Sequence, residues 1–538
     1  MDLPLLRDFL YRIIGHNTKY QKNFDNNNNT LHFSSISVQE NNNINIKNSL
    51  KILMVSTEYP PMYGGVGRYT YNLTRALRKL GHTVYVVCSD DGKEGNFFGL
   101  SSSFNKDNSG LLLEIVNKVN PDIVHIQFEH GLYGLKLRSI NPRKTCTNID
   151  SFYDICKAPI VTTFHSAYTF KQWMNIISPL DLKSNSNNNN NLKNQVKHFS
   201  KYILQYWKFI INYKSFHDLN NEKLVKSKKG IVFSDYMKNR IIEKKRKGSN
   251  GFANNKSDVS DNNSNNDNNN NIVIYHGAEP SLSLFPNIKE EARAKFGIYF
   301  DNKDNKTTRT KRIALAMGFK TSTKGWDILS EIDVPENWLI IVNSSKNHFN
   351  TENYKPKKII KKNYTGIIDL QRDYLSDTDL SLLFYASDVV LLPYKVSSGS
   401  GVMFDALAHG LPFIATDLEF FKEYARKGLG LTVKRDPKEF KKALIDLENN
   451  YEYYYNSVNQ FKLSLNWKNI ADHHNNVYNS ILVDTKSLKS ILHSSTIVTT
   501  NTTNTTTTTN ATVLPMNKIK NSPSKSFNNS FSLSNPSK

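Results

Sequence analysis

The chain has 538 residues, with 70 Lys and Arg against 48 Asp and Glu for a net charge of +22, and it contains three cysteines. A single core stops growing at about 250 to 300 residues, so this length excludes a one-domain protein. Cys88, Cys146 and Cys156 make neither a disulfide framework nor a C-x-x-C metal pattern, which excludes a cysteine-stapled secreted module and points to a reducing compartment.

In chain order, residues 1–48 are polar and Asn-rich, and they read as a disordered segment too poor in apolar side chains to offset its ordering entropy. The start, MDLPLLRDFLYRIIGH, is a poor leader because its second residue is acidic and its apolar stretch is short. No run approaches the ~18 to 20 apolar residues of a spanning helix. The expected location is therefore cytoplasmic, or peripheral at a membrane surface.

From residue 51 the grammar becomes regular. KILMVS reads as a buried strand, GRYTYNLTRALRKLGH as a helix with Gly81 at its C-terminal cap, and TVYVVCS as a second strand, together a βαβ unit of a parallel sheet. LLLEIVNKV, DIVHIQ, PIVTTFH, GIVFS and NIVIYHG each read as a short buried strand by composition. Asn-rich insertions near 184–196 and 249–271 interrupt this half, which spans 49–280. A second series runs through 281–465: strand RIALAMGF, helix GWDILSEI, strand WLIIVNS, helix SDTDLSLLFYAS, strand DVVLLPY, helix MFDALAHG, strand FIAT and helix PKEFKKALIDLEN. Two doubly wound α/β units in tandem form a cleft between their carboxyl edges. Beyond 486 the chain is Ser/Thr/Asn-rich and reads as a disordered tail.

Four segments point into that cleft. The loop EYPPMYGGVGR brings glycine backbone close to an anion at a helix start. A nicotinamide site is a weaker fit, although Gly65, Gly67 and Asp90 or Asp91 mimic its spacing, because two prolines and a long loop separate Gly65 from its strand. Lys324, between a strand and a helix, is placed to neutralise a diphosphate, or else is a solvated lysine. In LPYKVSSGSGVMFDALAHG a small-residue loop runs through Ser400, Gly401 and Val402 into a helix, an anion site by geometry. Asp405 there is able to accept from a ribose diol, or to act as a favourable acid near a helix start. His165 ends the strand PIVTTFH and faces the crevice. Asp377 and Asp379 fit a D-x-D metal string, but acids at a helix start account for them.

The strings YPPMYGGVGRY, NPDIVHIQ, PIVTTFH, IYHGAE, MGFKTSTKGWD and ASDVVLLPY followed by GVMFDALAHGLPFIATD, in this order, resemble glycosyltransferase family 4, retaining enzymes of the GT-B fold. The resemblance spans roughly residues 50 to 482, with NWKNIADHHNNVYNSIL similar to the final helix that crosses back onto the N-terminal domain, here 466–485. It implies that Gly64 and Gly65 pack against donor phosphates and that Ser400, Gly401 and Val402 lie in the donor site. His165 then lies near the transferred sugar, Lys324 stabilises the departing diphosphate, and Asp405 replaces a ribose-binding glutamate. No metal or other cofactor is implied, and a nucleotide-sugar is the co-substrate. Glu129 and His130 fall on the acceptor side.

Two positions depart from the family. Ser397 stands where a glutamate is common, and Phe319 stands where an arginine is common, with Lys320 beside it. The function expected is a retaining hexosyltransferase using a UDP-, GDP- or ADP-sugar and a glycan, lipid-linked or small-molecule acceptor. The alternative is a nucleotide-sugar-binding protein of the same fold with impaired turnover. The basic clusters Lys238–Lys247 and Lys355–Lys362 lack interleaved aromatics, so they read as solvated faces or as contacts to an anionic lipid, not as a specific nucleic-acid site.

Overall fold

The structure is a computed structural model and describes residues 49–62, 64–103, 105–134, 147–168, 172, 219–242, 270–298, 311–345, 366–372 and 374–500, with side chains followed to Val483. The segment before Ser49, the insertion near 184–196, most of that at 249–271, Cys146, the cluster 355–362 and the chain beyond Thr500 lie outside the described residues. The described residues belong to one compact unit beginning at Ser49.

The first half runs β1 (Lys51–Val55), α1 (Gly65–Lys79), β2 (Thr83–Val87), α2 (Ser109–Val119), β3 (Ile123–Phe128), α3 (Asp150–Ile155), β4 (Ile160–Phe164), β5 (Lys229–Val232), α4 (Asp235–Arg240) and β6 (Asn271–Val273). These strands form a sheet in the order β2-β1-β3-β4-β5-β6, with every pairing parallel. β3 and β4 are buried at every position, as expected of strands covered on both faces. α1 buries Tyr69, Leu73, Ala76 and Leu77 along one stripe and stops at Gly81, whose φ of 95° disfavours any side chain.

One expected strand is a helix. LLLEIVNKV lies within α2, where Leu112, Ile115, Val116 and Val119 are buried at helical spacing and Asn120 closes the helix with φ 47°. Composition favoured a strand, but the burial period of this segment is that of a helix.

The second half runs α5 (Ile288–Lys295), β7 (Arg312–Phe319), β8 (Trp338–Ser345), β9 (Ile367–Asp369), α6 (Asp377–Ala386), β10 (Val389–Leu392), α7 (Gly401–Ala408), β11 (Phe413–Thr416), α8 (Glu419–Ala425), β12 (Gly430–Val433), α9 (Pro437–Asn449) and α10 (Tyr451–Phe461). Its sheet has the order β12-β11-β10-β7-β8-β9, again parallel throughout. GWDILSEI forms a 3-10 segment, Trp326–Glu331, where an α-helix was expected. Gly325, with φ 73°, and Pro335 bracket too short a stretch for a full helix.

α11 (Trp467–Thr500) returns to the first half, packing against α1 and adding Ile470, Ala471, Tyr478 and Ile481 to the core of that sheet. It continues past 485, where the low-complexity tail was expected to begin. Among the described residues no helix is long and apolar enough to cross a membrane.

Candidate active site

A cavity of about 310 Å³ lies between the carboxyl edges of the two sheets. That volume is at the lower end of the range typical of small-ligand sites, about 300 to 1,000 Å³. It is lined by Gly64, Gly65, Glu129, His165, Lys324, Ser400, Gly401, Val402 and Asp405, so nine of the ten expected site residues border one space. His130 does not. It is buried behind the cavity wall, its Nδ1 3.0 Å from Glu129 Oε1.

The glycine loop is held from below by an acid. Glu58 is buried, and its Oε2 accepts from the N–H of Gly67 at 3.1 Å. A Cβ at Gly64 would run into the same carboxylate. One of the free N–H groups at the start of α1 is therefore satisfied by the chain itself, which weakens that helix end as an anion site. The start of α7 is capped by its own hydroxyl, since Ser400 Oγ accepts from Met403 N at 3.2 Å.

Lys324 ends a tight 3-10 turn, Ser322–Lys324, after β7. The turn is fixed by Lys395 N donating to Thr323 O at 2.8 Å and by Trp326 Nε1 donating to Phe319 O at 3.1 Å. Its Nζ sits 3.9 Å from the centre of the Tyr394 ring, and no carboxylate pairs with it among the described residues. A cation held over an aromatic face and left without an anion suits an incoming phosphate.

His165 is fixed by a buried relay. Its Nε2 lies 2.9 Å from Gln127 Oε1, so Nε2 carries the proton and donates. The Gln127 amide reaches His125 Nε2 at 3.3 Å, Thr163 Oγ1 reaches the same nitrogen at 2.7 Å, and His125 Nδ1 lies 2.7 Å from Tyr478 OH on α11. Burial, with His276 adding to it, lowers His165 to about 3, so the ring is neutral at pH 7. Burial alone would raise the Glu129 carboxyl, but His130 and Ser166 outweigh it and hold the group below the usual range.

The position of the missing family acid does not itself border the cavity. Ser397 is buried, its hydroxyl donates to Gly399 O at 2.9 Å, and its carbonyl accepts from Gln172 Nε2 at 2.7 Å. Neither it nor Lys320 is among the described residues that line the cavity, whereas Phe319 is.

The sequence reading missed the partner of Asp405. Arg68 Nη1 donates to Asp405 Oδ2 at 2.6 Å, joining α1 to α7 across the cleft. Arg68 lies one turn beyond Gly65, so its helical phase was the signal that could have found it. Tyr69 was missed as well. Its buried ring packs edge-on against His165, Phe233 and Trp467, with centroids 5.3, 5.3 and 5.4 Å away. Asp377 and Asp379 serve separate cations. Asp379 pairs with Lys295, and Asp377 Oδ1 is 3.5 Å from Arg68 Nε. No group of three or more His, Cys, Asp or Glu among the described residues is arranged to hold a metal ion.

Two parallel α/β sheets facing one cavity, with a C-terminal helix crossing back, define a two-domain Rossmann-like protein of the GT-B fold. The family model for Glycosyltransferase Family 4 matches residues 63–243, and that for Glycosyl transferases group 1 matches residues 355–450. The chain belongs to this family of group 1, family 4 glycosyltransferases.

Among solved structures, a sucrose-phosphate synthase from Thermosynechococcus elongatus is 12% identical, covers 81% of this chain and 100% of its own, and has a TM-score of 0.53. A glycosyltransferase from Rickettsia africae ESF-5 is 17% identical over 81% and 99% of the two chains, with a TM-score of 0.49. The Anabaena protein Alr3699/HepE, solved with UDP-glucose, is 14% identical over 81% and 100%, with a TM-score of 0.47. At such identity the first of these speaks to the fold. Comparison with curated protein sequences gave no match.

Proposed function

We propose that the protein is a retaining glycosyltransferase that moves a hexose from a UDP-, GDP- or ADP-sugar to a glycan, lipid-linked or small-molecule acceptor in the cytoplasm, with peripheral contact to an anionic membrane where the acceptor is a lipid. The observation that carries this reading is the convergence of Lys324, the start of α7, Asp405, the Gly64–Gly65 loop and His165 on one cavity.

In this reading Asp405 takes the ribose hydroxyls and Lys324 faces the diphosphate. The acceptor oxygen bonds to the anomeric carbon as the bond to the diphosphate oxygen breaks, and the nucleoside diphosphate leaves with the acceptor proton. Charge on the leaving group is met by fixed side-chain and backbone donors, the usual source of the largest catalytic effect, without a resident metal. Glu129, kept ionised beside His165, borders the acceptor side.

The test is to incubate the purified chain with a panel of UDP-, GDP- and ADP-sugars, with and without glycan and lipid extracts, and to follow nucleoside diphosphate release. Product anomeric configuration by NMR then checks retention. An inverted product would overturn the retaining assignment. The second reading, a nucleotide-sugar-binding protein with impaired turnover, is favoured by the Ser397 hydroxyl being engaged to the Gly399 carbonyl and by Phe319 in the cavity wall. Donor binding without release under any condition would select it.

A further inference from the structure

Phe319 contributes an apolar ring to a cavity wall where the family resemblance implies an arginine, and the same cavity is lined by another cation, Arg68, from the opposite half. Building on the donor reading above, we propose that Arg68 is the second diphosphate-facing cation, delivered across the cleft by α1 in place of one at position 319.

Four observations carry the assignment. Arg68 lines the cavity on the same helical face as Gly65, Tyr69 and Asn72. Its Nη1 is committed to Asp405 Oδ2 and its Nε lies 3.5 Å from the exposed Asp377 Oδ1, while Nη2 has no hydrogen-bond partner among the described residues. Asp405 Oδ1 likewise makes no hydrogen bond among the described residues. Both side chains are largely withdrawn from solvent, at 29% and 11% exposed, so the pair is weakly screened and fixed in direction.

The pair therefore presents a carboxylate oxygen and a guanidinium N–H side by side, matching a ribose hydroxyl followed by a phosphate. Guanidinium groups bind phosphate with directed, charge-assisted bonds that an ammonium lacks. Arg68 also offsets the Asp405 charge, which would otherwise repel the diphosphate. Because α1 and α7 belong to opposite halves, this cation is in place when the cleft is closed on the donor.

Calorimetry on the full chain tests this with UDP, GDP and ADP, and with the nucleoside of whichever binds the wild type most tightly. Arg68→Ala is expected to weaken the nucleoside diphosphate at least about tenfold and the nucleoside less than about threefold, the loss typical of a charged hydrogen bond. Phe319→Arg in the Arg68→Ala background is expected to recover most of that loss. Asp405→Asn in the same background is expected not to.

Equal loss for nucleoside and diphosphate would reduce Arg68 to a residue that positions Asp405. Recovery by Asp405→Asn would show that the loss came from an unscreened carboxylate. Either result overturns the proposal, and so does an unchanged diphosphate affinity. Failure of the wild type to bind any nucleoside diphosphate is a separate outcome, which removes the donor reading and this inference with it.

Discussion

Acidification is expected to loosen the fold through its buried imidazoles. His474, on α11, is fully buried, donates from Nδ1 to Ile470 O at 2.7 Å and faces the Tyr69 hydroxyl at 3.4 Å, and burial lowers it to about 4. His276 and His409 are lowered to about 4 and His165 to about 3, with burial the main cause in each. An unfolded chain binds a proton on each of these rings near pH 6.5, before the folded chain does. The stability these groups carry is therefore complete above that pH and lost as pH falls through about 6.5 to 4, with the His165 share lost down to about 3.

For His474 alone, going from pH 7.5 to pH 5 costs about 2 kcal/mol. The other three border solvent and count for less, so the four together remove roughly 4 to 8 kcal/mol, a large part of a typical stability. Denaturant unfolding followed by tryptophan fluorescence at pH 7.5, 6.5, 5.5 and 5.0 reads this directly. His474→Gln should flatten the slope by up to one proton, about 1.4 kcal/mol per pH unit. A midpoint that stays constant from pH 7.5 to 5, or a variant with the wild-type slope, would refute the reasoning.

Lys324→Ala is expected to lower kcat roughly 100-fold with little change in KM, as when one donor to a developing charge is removed, and steady-state kinetics check it. Asp405→Ala is expected to raise donor KM about tenfold with a smaller effect on kcat. Gly325→Ala should lower both stability and turnover, read by thermal melting and rate, because position 325 has φ 73° and a Cβ there would run into the Pro393 carbonyl, displacing the turn that holds Lys324. Gln127→Leu should cost about 1 to 3 kcal/mol in denaturant unfolding, because it strands the Nε2–H of His165 and removes a donor to His125.

Much of the fold was legible because parallel strands buried on both faces advertise themselves as short apolar runs, as in KILMV, IVTTF and VVLL. The same signal misled at Leu111–Val119, where apolar density hid a helical period that the burial of Leu112, Ile115, Val116 and Val119 makes plain. The extent of α11 was not legible either. A Ser/Thr-rich sequence lacks the apolar stripe from which a boundary is drawn, and the helix runs on to Thr500 regardless.

At the site, residues set by backbone position were readable, and residues set by pairing across the cleft were not. Lys324 and Asp405 announce themselves by standing just after a strand and just inside a helix. Arg68 was visible in GGVGRY, but its meaning lies in Asp405, which is 337 positions away along the chain. That separation also changes the reading of Asp405. As a lone acid near a helix start it needed no functional explanation. Bonded to an arginine of the opposite half and bordering the same cavity as Lys324, it becomes a carboxylate that joins the two halves at the proposed donor site.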